Sequence, residues 1–538
     1  MFKIFNRLGI VGKASILLAV FQLLSRLVGL LRDRVLASHF GASNILDVYY
    51  VSFNIPDFVF NLLVAGAVSA AFIPVFIEVE HSVAETEQAL GKQGQVPKGT
   101  ALLAKSQRMS NIGIGTASNF LNFLLLTVIA VSAILYFLVP LTISVAAPGF
   151  TPEKKDLAIL FTRVMLLSPV IFSVSVVIGS LLQVFHKFFA FALAPIMYNL
   201  GIIFGALVLE PRFGPLGLAE GVVLGALLHL VIQLPSVWRI GFRWQNIWNW
   251  GDGGMRKIFT LTIPRAIGLA GAQIYAIIED ALATTVGVGT VAVFNLASNL
   301  QYLPIALTGI SVAVASFPTL SREALQEEKK EFISHVGRRL RQVLFLVIPF
   351  SFLFFFLRQE VVRIILQSGY FSSGDTSLAA RVLAFFLLGV AAQSVIPILS
   401  RSFYAMQNTK TPLLISLVSI LLNLSSALYF VKIVYLGGSG LALAFSLAGI
   451  LNALLLLVFL KKTIASFDLA GLIFYLVKLL FVSFIMFLLL SLVSSFGFLA
   501  TAGLGGEVLR VIFYGLLALL TFLLFSRILK ISFSGKDL

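Results

Sequence analysis

Unbroken runs of about 20 predominantly apolar residues, each long enough to cross a bilayer as a helix, recur fourteen times along this chain. They fall near 14–31, 47–79, 109–139, 157–184, 188–209, 215–238, 258–286, 290–319, 342–357, 378–400, 411–431, 439–460, 471–495 and 508–526, and the ninth is expected to begin earlier, near His335. Hydrocarbon offers no partner to a backbone N–H or C=O, so runs of this kind must close their own hydrogen bonds as helices. The predicted fold class is an all-α integral membrane protein with about 14 transmembrane helices. Composition agrees, with 59% hydrophobic and 12% charged residues and a mean hydropathy of +1.02. Soluble domains carry roughly 45–50% and about 25%.

The same composition narrows the chemistry. The formal charge of +16 would favour nucleic acid in a soluble chain, but here it is distributed by membrane side, so no nucleic-acid partner is expected. There is no cysteine, which excludes disulfides, thiolate metal sites and thiol nucleophiles, and the five histidines form no His-x-x-x-His pair. Lys3, Arg7 and Lys13 before the run 14–21 imitate a signal peptide. No small-x-small cleavage site follows, and Gln22, Ser25 and Arg26 continue at helical spacing, so a retained first helix is expected.

With fourteen spans both termini lie on one side, and that side carries about 25 Lys and Arg against about 10 on the other. Both termini are therefore expected in the cytoplasm. The largest loop, 80–108, holds GKQGQVPKGT and reads as a polar connector. Residues 321–341 read as a charged, helical cytoplasmic segment with a solvated face.

An internal repeat organises the spans. Ser25-Arg26-Leu27-Val28-Gly29-Leu30 matches Pro264-Arg265-Ala266-Ile267-Gly268-Leu269, and each opens a helix pair that ends in a Phe-Pro step, at Phe72-Ile73-Pro74 and Phe317-Pro318. Gly214 to Ala219 recurs as Gly437 to Ala442, and Asn199 precedes the first as Asn423 precedes the second. Equivalent spans are six apart, so the two halves share one orientation, a pattern found in alternating-access transporters. The expected organisation is an N-lobe at 1–238 (spans 1–6), a cytoplasmic linker at 239–257, a C-lobe at 258–460 (spans 7–12), and C-terminal spans 13 and 14 with a tail at 461–538. The two lobes are pseudo-symmetric six-helix units.

Charges inside spans are costly and point to function. Gln22, Ser25, Arg26, Gly29 and Asp33 make a polar stripe on span 1, and Arg32 lies beside it. Arg26 either faces a cavity or pairs with a carboxylate such as Asp33 or Asp57. Arg265, just after Pro264, repeats the placement in span 7. A guanidinium is permanently charged and bidentate towards phosphate oxygens, so arginines converging from two lobes favour a phosphorylated amphiphile, with an Arg–carboxylate gate as the rival reading. Asp47 reads either as an N-cap or as a site residue, and Asp57, after Pro56, as the deeper cavity candidate. Glu279 and Asp280 read as a cation ligand or proton carrier, against simple interfacial solvation. Asn295, Ser298, Asn299 and Gln301 give span 8 a polar stretch suited to interhelical hydrogen bonds. Spans 13 and 14 are apolar and Phe-rich, fit for packing or for an external groove that holds a prenyl tail.

At these residues the chain resembles the MurJ (MviN) lipid II flippases of the multidrug/oligosaccharidyl-lipid/polysaccharide exporter superfamily. The resemblance runs from SRLVGLLRDRVLASHFGA through LDVYYVSFNIPDF, AGAVSAAFIPVF, APGF, FALAPIMYN and VIQLP to IPRAIGLAGAQI, FNLASNLQYLPIALTGISVAVASFPTLS and NTKTP. It implies a V-shaped fourteen-helix fold with a central cationic cavity, and a substrate, undecaprenyl diphosphate carrying the disaccharide-pentapeptide of peptidoglycan, moved from the cytoplasmic to the periplasmic leaflet. It also implies roles in substrate binding for Arg26, Arg32, Asp33, Asp47 and Arg265, and Asp57 and Asn299 complete the expected substrate-binding set. Some relatives bind sodium through an acidic residue at the position of Glu279, which makes Glu279 and Asn423 the expected sodium ligands. Two departures stand out: Phe60-Asn61 where many members have an arginine, and Asn299 where the family often has Ala-x-Arg-Leu.

The expected function is a flippase for lipid-linked peptidoglycan precursor, working by alternating access in the bacterial inner membrane, without enzymatic chemistry. Its partners are that precursor and membrane lipids, and a monomer is expected. The alternatives are an exporter of another polyprenyl-linked glycan or a drug/cation antiporter of the same superfamily. A polyprenyl-phosphate-dependent membrane glycosyltransferase is the alternative from a different class. That enzyme needs paired carboxylates or a metal site, normally with a sizeable external loop, and the sequence displays neither.

Overall fold

The computed structural model describes residues 10–66, 68, 72–92, 109–325, 330–496 and 503–533. Among them the regular structure is helical, with no strand. The first eleven helices are α1 (Ile10–Phe40), α2 (Asn44–Val59), α3 (Ile73–Lys92), α4 (Asn111–Ala146), α5 (Pro152–Met165), α6 (Leu167–Val184), α7 (Phe188–Phe204), α8 (Glu210–Phe213), α9 (Leu216–Val231), α10 (Leu234–Arg239) and α11 (Gly253–Thr284). The remainder are α12 (Thr290–Pro304), α13 (Ser311–Glu323), α14 (Lys330–Phe356), α15 (Arg358–Leu366), α16 (Ser373–Ala405), α17 (Lys410–Lys432), α18 (Gly438–Thr463), α19 (Leu469–Ser495) and α20 (Leu504–Ile528).

Among the described residues, twelve helical spans are long and apolar enough to cross a membrane. Helices α1 and α11, of 31 and 32 residues, coincide with predicted spans 1 and 7. At about 1.5 Å per residue each exceeds a hydrocarbon core of about 30 Å. The ninth span begins at Lys330, ahead of the apolar run, because the charged residues before it continue the same helix. Side chains close the helix ends where the chain changes direction: Ser110 Oγ accepts from Gly113 N at 2.9 Å, and Ser372 and Asp375 form a reciprocal capping box at the start of α16.

Packing divides the chain into two compact units, Met1–His39 with Asn44–Ala281, and Phe40–Ser43 with Leu282–Leu538. This boundary falls inside α11, most of which packs in unit 1, whereas the repeat-based lobes divide at the 239–257 linker. In unit 1, α7 and its π-helical continuation, Gly205–Leu209, approach α9 through glycines. A Cβ on Gly201 would lie 2.3 Å from the Gly225 Cα, and one on Gly205 would lie 2.5 Å from the Gly221 Cα. Small residues at i and i+4 on both helices let the backbones meet, the usual way of gaining close packing where lipid removes the hydrophobic drive. That contact fixes the height of Asn199 on α7.

Unit 2 is built around the 33-residue α16. Ser446 Oγ on α18 donates to the Phe385 and Phe386 carbonyls of α16 at 2.7 and 3.1 Å, and a Cβ on Gly389 would lie 2.7 Å from the Ser446 Cα. The repeat has a structural echo. A π-helical turn, Phe60–Ala65, follows α2, and another, Ile305–Ile310, follows α12 directly after Pro304. These are spans 2 and 8, the pair the repeat equates. A wide turn at matched places interrupts the ladder in both units and re-aims the side chains beyond it.

Candidate substrate-binding site

A polar constellation within the spans of unit 1 is centred on Arg32. Arg32 Nη2 and Nε donate to Asp33 Oδ1 at 2.7 and 3.1 Å, and Nη1 donates to Asn199 Oδ1 on α7 at 3.0 Å. Asn199 Nδ2 in turn donates to the Pro195 carbonyl at 3.0 Å, which turns the amide oxygen towards the guanidinium. Asp33 is 3% exposed, while the Arg32 side chain keeps 22%. A buried carboxylate is tolerated in this setting because its counter-charge is bonded to it and that counter-charge is itself anchored. Tyr49, Tyr50 and Tyr198 are electrostatic neighbours of Arg32. Among the described residues, the buried Tyr50 hydroxyl has no hydrogen-bond partner.

Asp47 lies in the first turn of α2, 1% exposed, with its carboxylate 3.6 Å from Lys154 Nζ on α5. Lys154 also sits 4.9 Å from the Phe150 ring centroid. This ion pair ties α2 to α5, so the structure gives Asp47 a clamping contact. Asp57 is exposed, on the turn after the buried Asn54. Asn54 Nδ2 donates to Asp280 Oδ2 at 3.0 Å and joins α2 to α11 within unit 1. Asp57 and Asp280 are electrostatic neighbours, and Tyr275 Oη donates to Glu279 Oε1 at 2.7 Å. One acidic region therefore collects Asp57, Glu279 and Asp280.

The remaining sequence candidates are distributed as follows. Arg26 is half-buried on α1. The backbone of Arg265 belongs to α11, and its side chain lies outside the described residues. Asn299 is half-buried on α12 and Asn423 buried on α17, both in unit 2, whereas Glu279 is in unit 1. Among the described residues, no group of three or more His, Asp or Glu side chains is placed to hold a metal ion. Phe60 opens an aromatic cluster: its ring lies 5.3 Å from Phe172, which lies 5.2 Å from both Tyr198 and His229.

Sequence reasoning marked Asn199 as a sign of the repeat and missed it as the partner of Arg32. It also missed the network in which Ser175 Oγ lies 2.7 Å from His229 Nδ1 and accepts from Gln233 Nε2 at 2.8 Å. The signal for the second was present, since His229 and Gln233 are one helical turn apart in an otherwise apolar run. Unit 2 holds an apolar cavity of about 400 Å³ among α14, α16 and α19, lined by Ile348, Phe352, Phe355, Leu387, Phe484 and Phe487.

A sequence model described as lipid II flippase MurJ matches residues 36–512, a range that begins just after Arg26, Arg32 and Asp33. The chain is 29% identical over 450 residues to a probable lipid II flippase MurJ of Buchnera aphidicola, covering 82% of each chain. Its fold is similar to that of a solved lipid II flippase MurJ in an inward closed conformation, with TM-score 0.76, 24% identity, and coverage of 96% of this chain and 98% of that one. It is also similar to an inward-facing multidrug resistance MATE family transporter of the MOP superfamily, with TM-score 0.60, 15% identity, and coverage of 85% and 99%. At these identities the two structures speak for the fold.

Proposed function

Because the chain belongs to the lipid II flippase MurJ family, we propose that it carries lipid II across the bacterial inner membrane and engages the lipid's diphosphate through Arg32. It is a multi-pass membrane protein, and the loop charges support a cytoplasmic position for both termini. The carrier is proposed to act as a monomer.

The observation that carries the reading is the Arg32–Asp33–Asn199 bracket. A guanidinium has five N–H donors, and three of them are committed to Asp33 and Asn199. The other two suit phosphate oxygens. Guanidinium–phosphate bonds are charge-assisted and gain strength away from bulk water. Asp33 keeps the empty site close to neutral, so the cation can stay within the membrane between cycles. The work is binding, reorientation and release, with no covalent step. The membrane potential acts at about 2.3 kcal/mol per elementary charge per 100 mV, so charge carried by the site biases the return of the empty carrier. A sodium ion, where one is used, would be held in unit 1 by Glu279 with the adjacent Asp280, and it would supply charge compensation to that acidic pair. Asn423, in unit 2, is a separate candidate ligand.

A second reading, another polyprenyl-linked glycan, is favoured by Phe60, which packs in an aromatic cluster with Phe172 at a place where the resemblance implies an arginine. The two readings are separated by depleting a host's own lipid II flippase and supplying this chain, wild type or with Arg32→Ala or Asn199→Ala. Restored growth that the substitutions abolish supports lipid II. Failure by a well-expressed, inserted protein moves the assignment to the other glycan.

A further inference from the structure

All four tryptophans of the chain, Trp238, Trp244, Trp248 and Trp250, fall within one stretch of 13 residues. From 242 to 249 that stretch is neither helix nor strand, and it runs as a strap over the first turns of α4. Buried side chains on α4 hold its backbone. Asn122 Nδ2 donates to the Gln245 and Ile247 carbonyls at 3.1 and 2.9 Å. Asn119 Nδ2 donates to the Asn249 carbonyl and its Oδ1 accepts from Asn249 N, both at 2.9 Å, and Ser118 Oγ accepts from Gln245 N at 3.1 Å. The strap needs no secondary structure because these amides take the place of a ladder.

What the strap turns outward is indole. Trp238, Trp244, Trp248 and Trp250 are each half exposed or more, while Trp248 and Trp250 pack edge-on against Phe123 at 5.2 and 5.1 Å. The indole N–H groups of Trp244 and Trp248 are already bonded, to Asn122 Oδ1 at 2.7 Å and Asn246 Oδ1 at 2.6 Å. Exposed Arg239 and Arg243 flank the indoles, and Arg243 Nη1 donates to the Phe242 carbonyl at 3.0 Å, which sets its guanidinium beside them. Directly beyond, along α4, the exposed apolar residues Leu126 and Ile129 begin a lipid-type surface. Indoles gathered between such a surface and a pair of guanidiniums match the boundary between acyl chains and anionic headgroups.

We infer that residues 238–250 form an interfacial lipid-binding surface, with the four indoles seated at the acyl–headgroup boundary and Arg239 and Arg243 binding the phosphates of anionic phospholipids. The inference depends neither on the transported substrate nor on which way the chain is inserted. It would hold the α10–α11 connection against the membrane.

Intrinsic fluorescence reports on this strap alone, since no tryptophan lies elsewhere. The full chain is reconstituted in phosphatidylcholine vesicles with and without phosphatidylglycerol. It is then quenched by lipids brominated near the headgroup, by lipids brominated near the chain end, and by aqueous iodide. The expected result is quenching by the shallow bromolipid about twofold stronger than by the deep one, weak iodide quenching, and a blue shift on adding phosphatidylglycerol that Arg239→Gln/Arg243→Gln removes. The arginine variant leaves the amide bonds of the strap in place, so its bromolipid depth profile checks that the strap is still seated. Iodide quenching as free as for a soluble indole would overturn the inference and mark a surface for a soluble protein. Stronger quenching by the deep lipid, resistance to all three quenchers, or indifference to phosphatidylglycerol would overturn it as well.

Discussion

Arg32 and Asn199, 167 positions apart, meet through a hydrogen bond of 3.0 Å from Nη1 to Oδ1, and Asn199 is oriented for it by its own bond to the Pro195 carbonyl. Asn199 thus acts on substrate through Arg32, as a positioning residue. Asn199→Ala frees the guanidinium to collapse onto Asp33, and the loss of a bond to a charged group is worth about 1.5–3 kcal/mol. Affinity for undecaprenyl diphosphate in detergent should fall about tenfold or more, together with a modest drop in unfolding temperature, because the same bond ties α1 to α7. An unaltered affinity would remove Asn199 from the site.

Asp47 is expected to serve stability more than transport. Its partner Lys154 is 3.6 Å away and both side chains are well covered. Lys154→Met leaves a buried carboxylate without its counter-charge, a change that costs about 3–5 kcal/mol in buried pairs. Adding Asp47→Asn should restore most of the lost stability. Thermal unfolding of the two single variants and the double variant checks this, and the account fails if the double variant is no more stable than Lys154→Met.

Gly221 has no room for a side chain, because a Cβ there would stand 2.5 Å from the Gly205 Cα. Gly221→Leu must push α7 from α9, and overpacking of this kind costs about 1–3 kcal/mol or more. Since α7 carries Asn199, the variant should lose both thermal stability and lipid binding. Gly515→Leu, on α20 with no neighbouring atom within 4 Å of an added Cβ, is the matched control and should lose neither.

Glu507 on α20 is 7% exposed and pairs with Arg363 on α15, while Arg510 lies 3.6 Å from Glu360. These contacts clip the last helix to unit 2. Glu507→Gln should speed proteolysis between α19 and α20 severalfold, with the helical content of the rest unchanged by circular dichroism. Unchanged proteolysis would show that apolar packing alone holds α20.

Most of the architecture was legible because lipid imposes a simple rule: a run of about 20 apolar residues must be a helix. Among the described residues each of the fourteen predicted spans has a helical counterpart, and twelve helical spans are long and apolar enough to cross a membrane. The ninth was short only because Lys330 to Arg341 hide a helix inside a charged segment. The site was less legible. Arg32 and Asp33 could be read on α1, but the stripe of Gln22, Ser25, Arg26, Gly29 and Asp33 omits Arg32, whose role depends on Asn199 from a distant helix. That pairing rests on the glycine contact of α7 with α9, a tertiary fact that no local spacing encodes. The Trp-rich strap was invisible for a related reason: its backbone partners, Ser118, Asn119 and Asn122, sit in another span and look like ordinary polar residues there.

The most direct measurement is the accessibility of lipid II at the periplasmic face of cells whose own flippase has been depleted, with this chain supplied as wild type, Arg32→Lys or Arg32→Ala at equal membrane levels. The account predicts exposure of lipid II with the wild type, a partial level with Arg32→Lys, which keeps the charge and loses the fork, and background with Arg32→Ala. Wild-type exposure from Arg32→Ala would contradict it.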